Sequence, residues 1–362
     1  MRSTGCIEMI MINSKVQRIL AAPNIVAARE AGLGRLTSLF AGGRTEIAMV
    51  MNGIMRITED DGPAWETWLD ESLTALADQA ERMLDQQVFR PLIVNYNPHG
   101  VHFIDHLFGA RVFRMEDGSW QSPPLDSAIG SLQPPDLDHS PMWRIMQQIT
   151  HAFVDRNVPG VIFALPTIAS VLNIGVNLYG QEILVAMIEH PEAARHDLQV
   201  INDLLRRLHH WYREYVPVDQ LQCIVPDGRC QPKGFGQLCG CTTQLLSPGL
   251  YRDFIAPLDD ALLSVYPNGG MIHLCGAHAQ HIPVWRQMTS LRAVQINDRA
   301  AEDLALYFNG LREDQMLYVN PCEHMPVECI MEITNGRRLI IAADIQPSSV
   351  KSPSMHSSTS VG

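Results

Sequence analysis

The last third of the chain repeats one unit: a short apolar run, a polar turn, then an amphipathic helix stopped by Gly or Asn. The runs cover residues 271–275, 291–297, 315–320 and 338–343. The helices between the later runs stop at Gly310 and at Asn335-Gly336, residue types suited to the left-handed position just past a helix. Earlier runs at 91–96, 160–166 and, more weakly, 233–241 extend the series to about eight units. Alternating strands and helices imply a parallel sheet. About eight units in a chain of this length favour an α/β fold of the (β/α)8 TIM-barrel kind over an open doubly wound sheet. No phosphate-binding glycine fingerprint follows the first run, which counts against a nucleotide fold.

The rest of the chain divides around that frame. Residues 63–87 read as a helix, with Trp65, Trp68, Leu69, Leu73, Leu76, Ala80, Met83 and Leu84 at helical spacing and Pro63 in the first turn. Residues 1–60 are ambiguous, Met- and Ala-rich with a break at Gly42-Gly43. The expected division is a mainly helical N-terminal extension over 1–88 packing on the barrel, a barrel over 89–345, and a disordered Ser- and Pro-rich tail over 346–362. A helix over 181–215 is interrupted near Pro191. Another opens at Ser247-Pro248, with Ser as N-cap and Pro at the first helical position, and runs to about residue 266.

A net charge of -12 makes nucleic acid an unsuitable partner. No apolar run reaches the roughly 20 residues of a spanning helix, and the N-terminus lacks a secretory pattern. The expectation is a cytoplasmic protein with a small-molecule substrate, no nucleic-acid partner and no membrane partner. Of the eight cysteines, Cys223, Cys230, Cys239, Cys241, Cys275, Cys322 and Cys329 lie in the C-terminal half. In a long cytoplasmic chain such thiols point to metal binding, catalysis or packing rather than to disulfides.

In barrels of this kind the site lies at the C-terminal strand ends, where this chain collects polar and sulfur groups. In the run 271–275, Met271, His273 and Cys275 share one face, because strand side chains alternate. Two residues span roughly 7 Å, so the imidazole and the thiol can converge on one ion. Zinc accepts nitrogen at about 2.0–2.1 Å and sulfur at about 2.3 Å. Cys239 and Cys241 repeat that two-residue spacing and read either as partners of the same pocket or as small residues in a Gly-rich turn. Candidates for a third ligand are Cys322, Asp344 and Cys241. Tyr96 and Asp298 are candidate catalytic groups beside His273 and Cys275. Asn97, Asn297 and Asn320 are candidate cofactor-binding groups. His278 and His281 read as solvated residues on a surface turn, Cys329 as structural, and His99, His102 and His106 as residues near the pocket mouth.

Several segments together resemble the uroporphyrinogen decarboxylase superfamily. Leu165-Pro166-Thr167-Ile168-Ala169-Ser170-Val171-Leu172 is similar to its G-P-[FL]-T-x-A-x-x-L segment, and the helix carrying His190-Pro191-Glu192 to its D-P-E helix. Ser247-Pro248, Tyr251, Phe254 and Pro257 match its I-S-P-x-x-[FY]-x-x-F-x-x-P segment. His273-Leu274-Cys275-Gly276 resembles the H-x-C-G of its cobamide-dependent methyltransferase branch. The resemblance covers residues from about 90 to 345 and implies a (β/α)8 barrel. It implies a zinc-dependent methyl transfer to a thiol or related acceptor. The donor would be a methylcobamide or other corrinoid, carried as co-substrate on a partner corrinoid protein. The chain departs from that branch in two places. Ala342-Ala343-Asp344 stands where a third zinc Cys usually follows the last strand, and the Cys239–Cys241 turn stands where an acidic residue is usual. Two alternatives are a metal-independent decarboxylase of a tetrapyrrole or other carboxylated substrate, and a non-catalytic corrinoid- or tetrapyrrole-binding barrel.

Overall fold

The computed structural model describes residues 13–42, 49–59, 64–85, 87–223 and 229–343. Its strands, in chain order, are β1 (Met49–Met51), β2 (Ile54–Thr58), β3 (Val88–Phe89), β4 (Leu92–Tyr96), β5 (Phe113–Arg114), β6 (Trp120–Gln121), β7 (Val161–Ala164), β8 (Leu221–Gln222), β9 (Gly236–Cys239), β10 (Gly270–Cys275), β11 (Leu291–Asn297), β12 (Met316–Val319) and β13 (Leu339–Ala342). Seven of them form one parallel sheet in the order β3-β1-β13-β12-β11-β10-β9, and four form a second in the order β2-β4-β7-β8. The antiparallel pair β5–β6 stands apart as a small hairpin.

The two sheets share their first two chain segments. β1 and β2 are separated only by Asn52-Gly53, β3 and β4 only by Arg90-Pro91, and β1 pairs with β3 while β2 pairs with β4. No backbone ladder joins β8 to β9 among the described residues. The Gln222 side chain ties β8 instead to the segment that leads into β9. The Gln222 amide donates to the Gln231 carbonyl at 2.9 Å and accepts from the Gln231 N–H at 2.9 Å.

The sequence reading assigns no element to residues 49–58, yet they contribute a strand to each sheet. The stretch is short, Met-rich and broken at Asn52-Gly53, so it carries little period-two signal. The expected helix over 63–87 is Trp65–Ala77 followed by a 3-10 turn, Ala80–Leu84, Pro63 lying outside the described residues. The long helix breaks at His190 into Glu182–Glu189 and Pro191–Tyr215. The Ser247 hydroxyl caps the next helix by accepting from the Leu250 N–H at 3.3 Å, and Asn335 takes the left-handed C-cap conformation.

Each strand sends alternate side chains to two different cores. Ile272 and Leu274 face the surrounding helices. Burying each such side chain contributes about 1.5–3 kcal/mol. Met271, Ala293, Met316 and Ile340 face a second cluster, to which Ile93 and Ile162 of the other sheet also contribute. Helix Pro23–Phe40 covers that cluster at the N-terminal strand ends with Leu33, Leu36, Leu39 and Phe40, and Phe40 lies edge-on to Phe235 at 4.9 Å. The C-terminal ends are left to polar groups. No single described helix is long and apolar enough to cross a membrane. The one pair that passes jointly by composition, Val171–Tyr179 with Glu182–Glu189, is bent by 108°.

Candidate metal centre

The site follows from strand register. His273 on β10 lies opposite Cys239 on β9 and Gln295 on β11. Partners in a parallel ladder point to the same face, so these three side chains form a row above the aliphatic layer. One pleat higher, Cys275 lies opposite Asn297. Cys241 joins from the turn after β9. Gly240 lets that turn pack closely on β10, because a Cβ there would stand 2.7 Å from Ile272 Cδ1 and displace that side chain. The turn is anchored by a hydrogen bond from the Gly240 N–H to the His273 carbonyl at 2.9 Å.

The ligand atoms of Cys239, Cys241 and His273 all lie within 4.8 Å of one another, and this group could hold a metal ion. The Sγ atoms of Cys239 and Cys241 are 3.5 Å apart. Cys275 Sγ sits 3.2 Å from His273 Nε2. Cys239, Cys241 and His273 thus offer two sulfurs and one nitrogen, a three-ligand set that suits a tetrahedral soft ion such as zinc and leaves its fourth position open; Cys275 lies beside this group rather than within it. The other imidazole nitrogen is held from behind. His273 Nδ1 is hydrogen-bonded to Gln295 Oε1. The Gln295 amide donates in turn to Asn320 Oδ1 at 2.7 Å, and Arg229 donates to the same oxygen at 3.4 Å. A donor on Nδ1 leaves Nε2 as the ligating atom, which is how ligand histidines are commonly oriented. On the opposite side, the Asn173 amide points at Cys239 Sγ from 3.8 Å.

Three clustered thiols compete for negative charge. Contact with Cys239 pushes Cys241 up to about 12, and contact with Cys241, opposed by His273, pushes Cys275 up to about 12. Cys239 moves the other way, because the Cys241 thiol donates to it and outweighs the effect of burial. The protein's own groups therefore favour a thiolate at Cys239 first. A bound cation removes that restriction, since coordinated thiols deprotonate outright.

Other sequence-selected residues are distributed differently. Asn297 borders Cys275, and Asn320 stands behind Gln295. Asn97 is buried and accepts from the Thr167 N–H at 2.6 Å. Tyr96 is buried on the helix-facing side, edge-on to Trp68 at 5.4 Å. Asp298 is exposed at the end of β11, with φ 47°. Cys322 is half-buried, bridged to Met325, and outside the mutually close ligand group. Asp344 lies outside the described residues. His278 and His281, expected in solvent, are fully buried. Their ring nitrogens meet backbone carbonyls: His278 those of Gly276 and Cys241 at 3.0 and 3.1 Å, His281 that of Thr243 at 2.9 Å. They hold the Cys241 turn rather than an ion.

Sequence reasoning missed Gln295. A signal was present: a Gln two residues before Asn297, between Val294 and Ile296 in a largely apolar strand, one run along from His273. Without the register, nothing tied it to the imidazole.

No protein-family model matches the chain, and no curated protein matches it. Among solved structures, a methyltransferase from Methanosarcina mazei superposes with a TM-score of 0.59 at 11% identity, covering 88% of this chain and 95% of that one. A phospho-2-dehydro-3-deoxyheptonate aldolase from Francisella tularensis matches with a TM-score of 0.38 at 9% identity over 92% of this chain and 84% of that one. The first likeness defines a shared α/β fold. The second is too distant to add to it.

Proposed function

We propose that this chain is a zinc-dependent methyltransferase of the uroporphyrinogen decarboxylase superfamily, working on a closed (β/α)8 barrel in the cytoplasm. It would move a methyl group from a corrinoid-type donor, carried by a partner corrinoid protein, to a small-molecule thiol or related acceptor. The observation that carries this reading is the Cys239, Cys241 and His273 group, with Cys275 beside it, at the C-terminal strand ends of a fold shared with a methyltransferase.

The donor set fits zinc: soft sulfur with one imidazole whose second nitrogen is already engaged. When bound, zinc supplies Lewis acidity that converts a thiol to a nucleophilic thiolate. The chain's residues do the rest. Gln295 fixes the His273 ring, Gly240 and the buried His278 set the Cys241 turn, and Asn173 stabilises charge at Cys239. Asn297, beside Cys275, is placed to hold the acceptor.

The test is methyl transfer from free methylcobalamin to 2-mercaptoethanol by the purified protein, alongside its zinc content. The reading expects about one zinc per chain and turnover lost in His273→Ala. A protein without stoichiometric zinc whose turnover survives His273→Ala would overturn it.

A further inference from the structure

We propose that Cys239 and Cys241 form a reversible disulfide, a two-electron redox site whose closure and metal occupancy exclude one another. Both thiols are free, half-buried and separated in sequence by Gly240 alone, with Sγ atoms 3.5 Å apart. A disulfide bond is about 2.05 Å long, so the sulfurs must approach by roughly 1.5 Å, within reach of side-chain rotation.

The turn that carries the two thiols is held at three points. The Cys239 carbonyl accepts from the Ser170 N–H at 2.8 Å, the Gly240 N–H donates to the His273 carbonyl at 2.9 Å, and the Thr242 N–H donates to Asn173 Oδ1 at 3.1 Å. Partial exposure gives a small oxidant access, whereas Cys223 and Cys230 are buried. A ring closed across one intervening residue is strained, and strained disulfides are the easily reduced, labile ones.

The chemistry balances with a peroxide as oxidant. One thiolate attacks a peroxide oxygen of hydrogen peroxide; the O–O bond breaks, leaving a sulfenic acid and, after protonation, one water. The second sulfur attacks the sulfenic sulfur, the S–S bond forms, and a second water leaves with the thiol proton. A low-molecular-weight thiol reverses the change by two exchange steps, becoming the oxidised partner. The consequence for the metal rests on the reading above, because the disulfide removes both of its sulfur donors.

The test uses the full chain, reduced, in metal-free and zinc-loaded form, treated with one equivalent of hydrogen peroxide. The readouts are intact mass, reactive-thiol count and peptide mapping. The metal-free protein is expected to lose two hydrogens and two reactive thiols, with the bond mapped to the Cys239–Cys241 peptide and reversed by dithiothreitol. Cys239→Ser and Cys241→Ser should each abolish it, Cys275→Ser should not, and bound zinc should protect. A bond mapped to Cys241–Cys275, or oxidation onward to sulfinic acid without a disulfide, overturns the proposal. Mapping on the wild-type chain keeps the result independent of how the variants fold. Disulfide formation in a chain that takes up no zinc supports the redox site and removes the metal reading. Zinc uptake with no disulfide does the reverse.

Discussion

Replacing Gln295 with Leu should weaken metal binding about ten- to a hundredfold. In the wild type, Gln295 accepts from His273 Nδ1 and donates to Asn320, and Gln295 is fully buried. Leu fills a similar volume but offers no acceptor. The imidazole then keeps a buried N–H without a partner, a loss of about 1–3 kcal/mol, or can turn and misdirect Nε2. At about 1.4 kcal/mol per tenfold, that range spans one to two orders of magnitude, the usual effect of removing a partner behind a metal-ligating His. Competitive titration of zinc, or of cobalt(II) followed by absorption, against a chromophoric chelator measures it. Gln295→Glu keeps an acceptor for Nδ1 and should lose less. If Gln295→Leu binds as tightly as wild type while His273→Ala does not bind, the supporting role assigned to Gln295 is refuted.

Three further outcomes concern the frame around the site. Gly270→Ala should destabilise the fold by several kcal/mol, because a Cβ there would meet the Gly236 carbonyl oxygen at 2.3 Å and backbone cannot yield as a side chain does; a urea midpoint within error of wild type would contradict this. Asp197→Ala should lower stability by about 3–5 kcal/mol, since this fully buried carboxylate accepts from the Gly130 and Leu132 N–H groups and the Tyr179 hydroxyl at 2.8, 3.0 and 2.7 Å; denaturant melts showing less than about 1 kcal/mol would argue against it. Burial, opposed by the Tyr251 hydroxyl, raises Asp259 to about 7 from about 3.9 in the unfolded chain. The folded state thus binds this proton more tightly, and the contribution is complete below about pH 4 and lost as pH rises through about 7. Asp259→Asn should flatten the melting temperature across that window and exceed wild type above it; parallel curves for both proteins would refute the assignment.

The parts legible in the sequence are those governed by local rules. The runs at 271–275 and 291–297 announce themselves by their apolar residues, Ser247-Pro248 by capping chemistry, and Asn335 by its tolerance of the left-handed region. The pairing of His273 with Cys275 is also local, because alternation alone places them on one face. What was not legible depends on register between distant segments. Gln295 becomes a partner of His273 only when β10 and β11 align. Cys241 and Cys322 look equally suitable as ligands in one dimension, yet only Cys241 closes on the imidazole. His278 and His281 look like surface residues until the turn folds over them and their nitrogens reach backbone carbonyls. Residues 49–58 carry too few alternating positions to read as strand, and only pairing with β3, β4 and β13 makes them so.

Zinc content measured by elemental analysis, on wild type beside Cys239→Ser, Cys241→Ser, His273→Ala, Cys275→Ser and Cys322→Ser, tests the central claim most directly. The account predicts about one zinc per chain in wild type and in Cys322→Ser, with marked loss in Cys239→Ser, Cys241→Ser and His273→Ala and a weaker hold in Cys275→Ser. A wild-type protein free of metal, or one that loses its zinc with Cys322 and keeps it without Cys239, would contradict it.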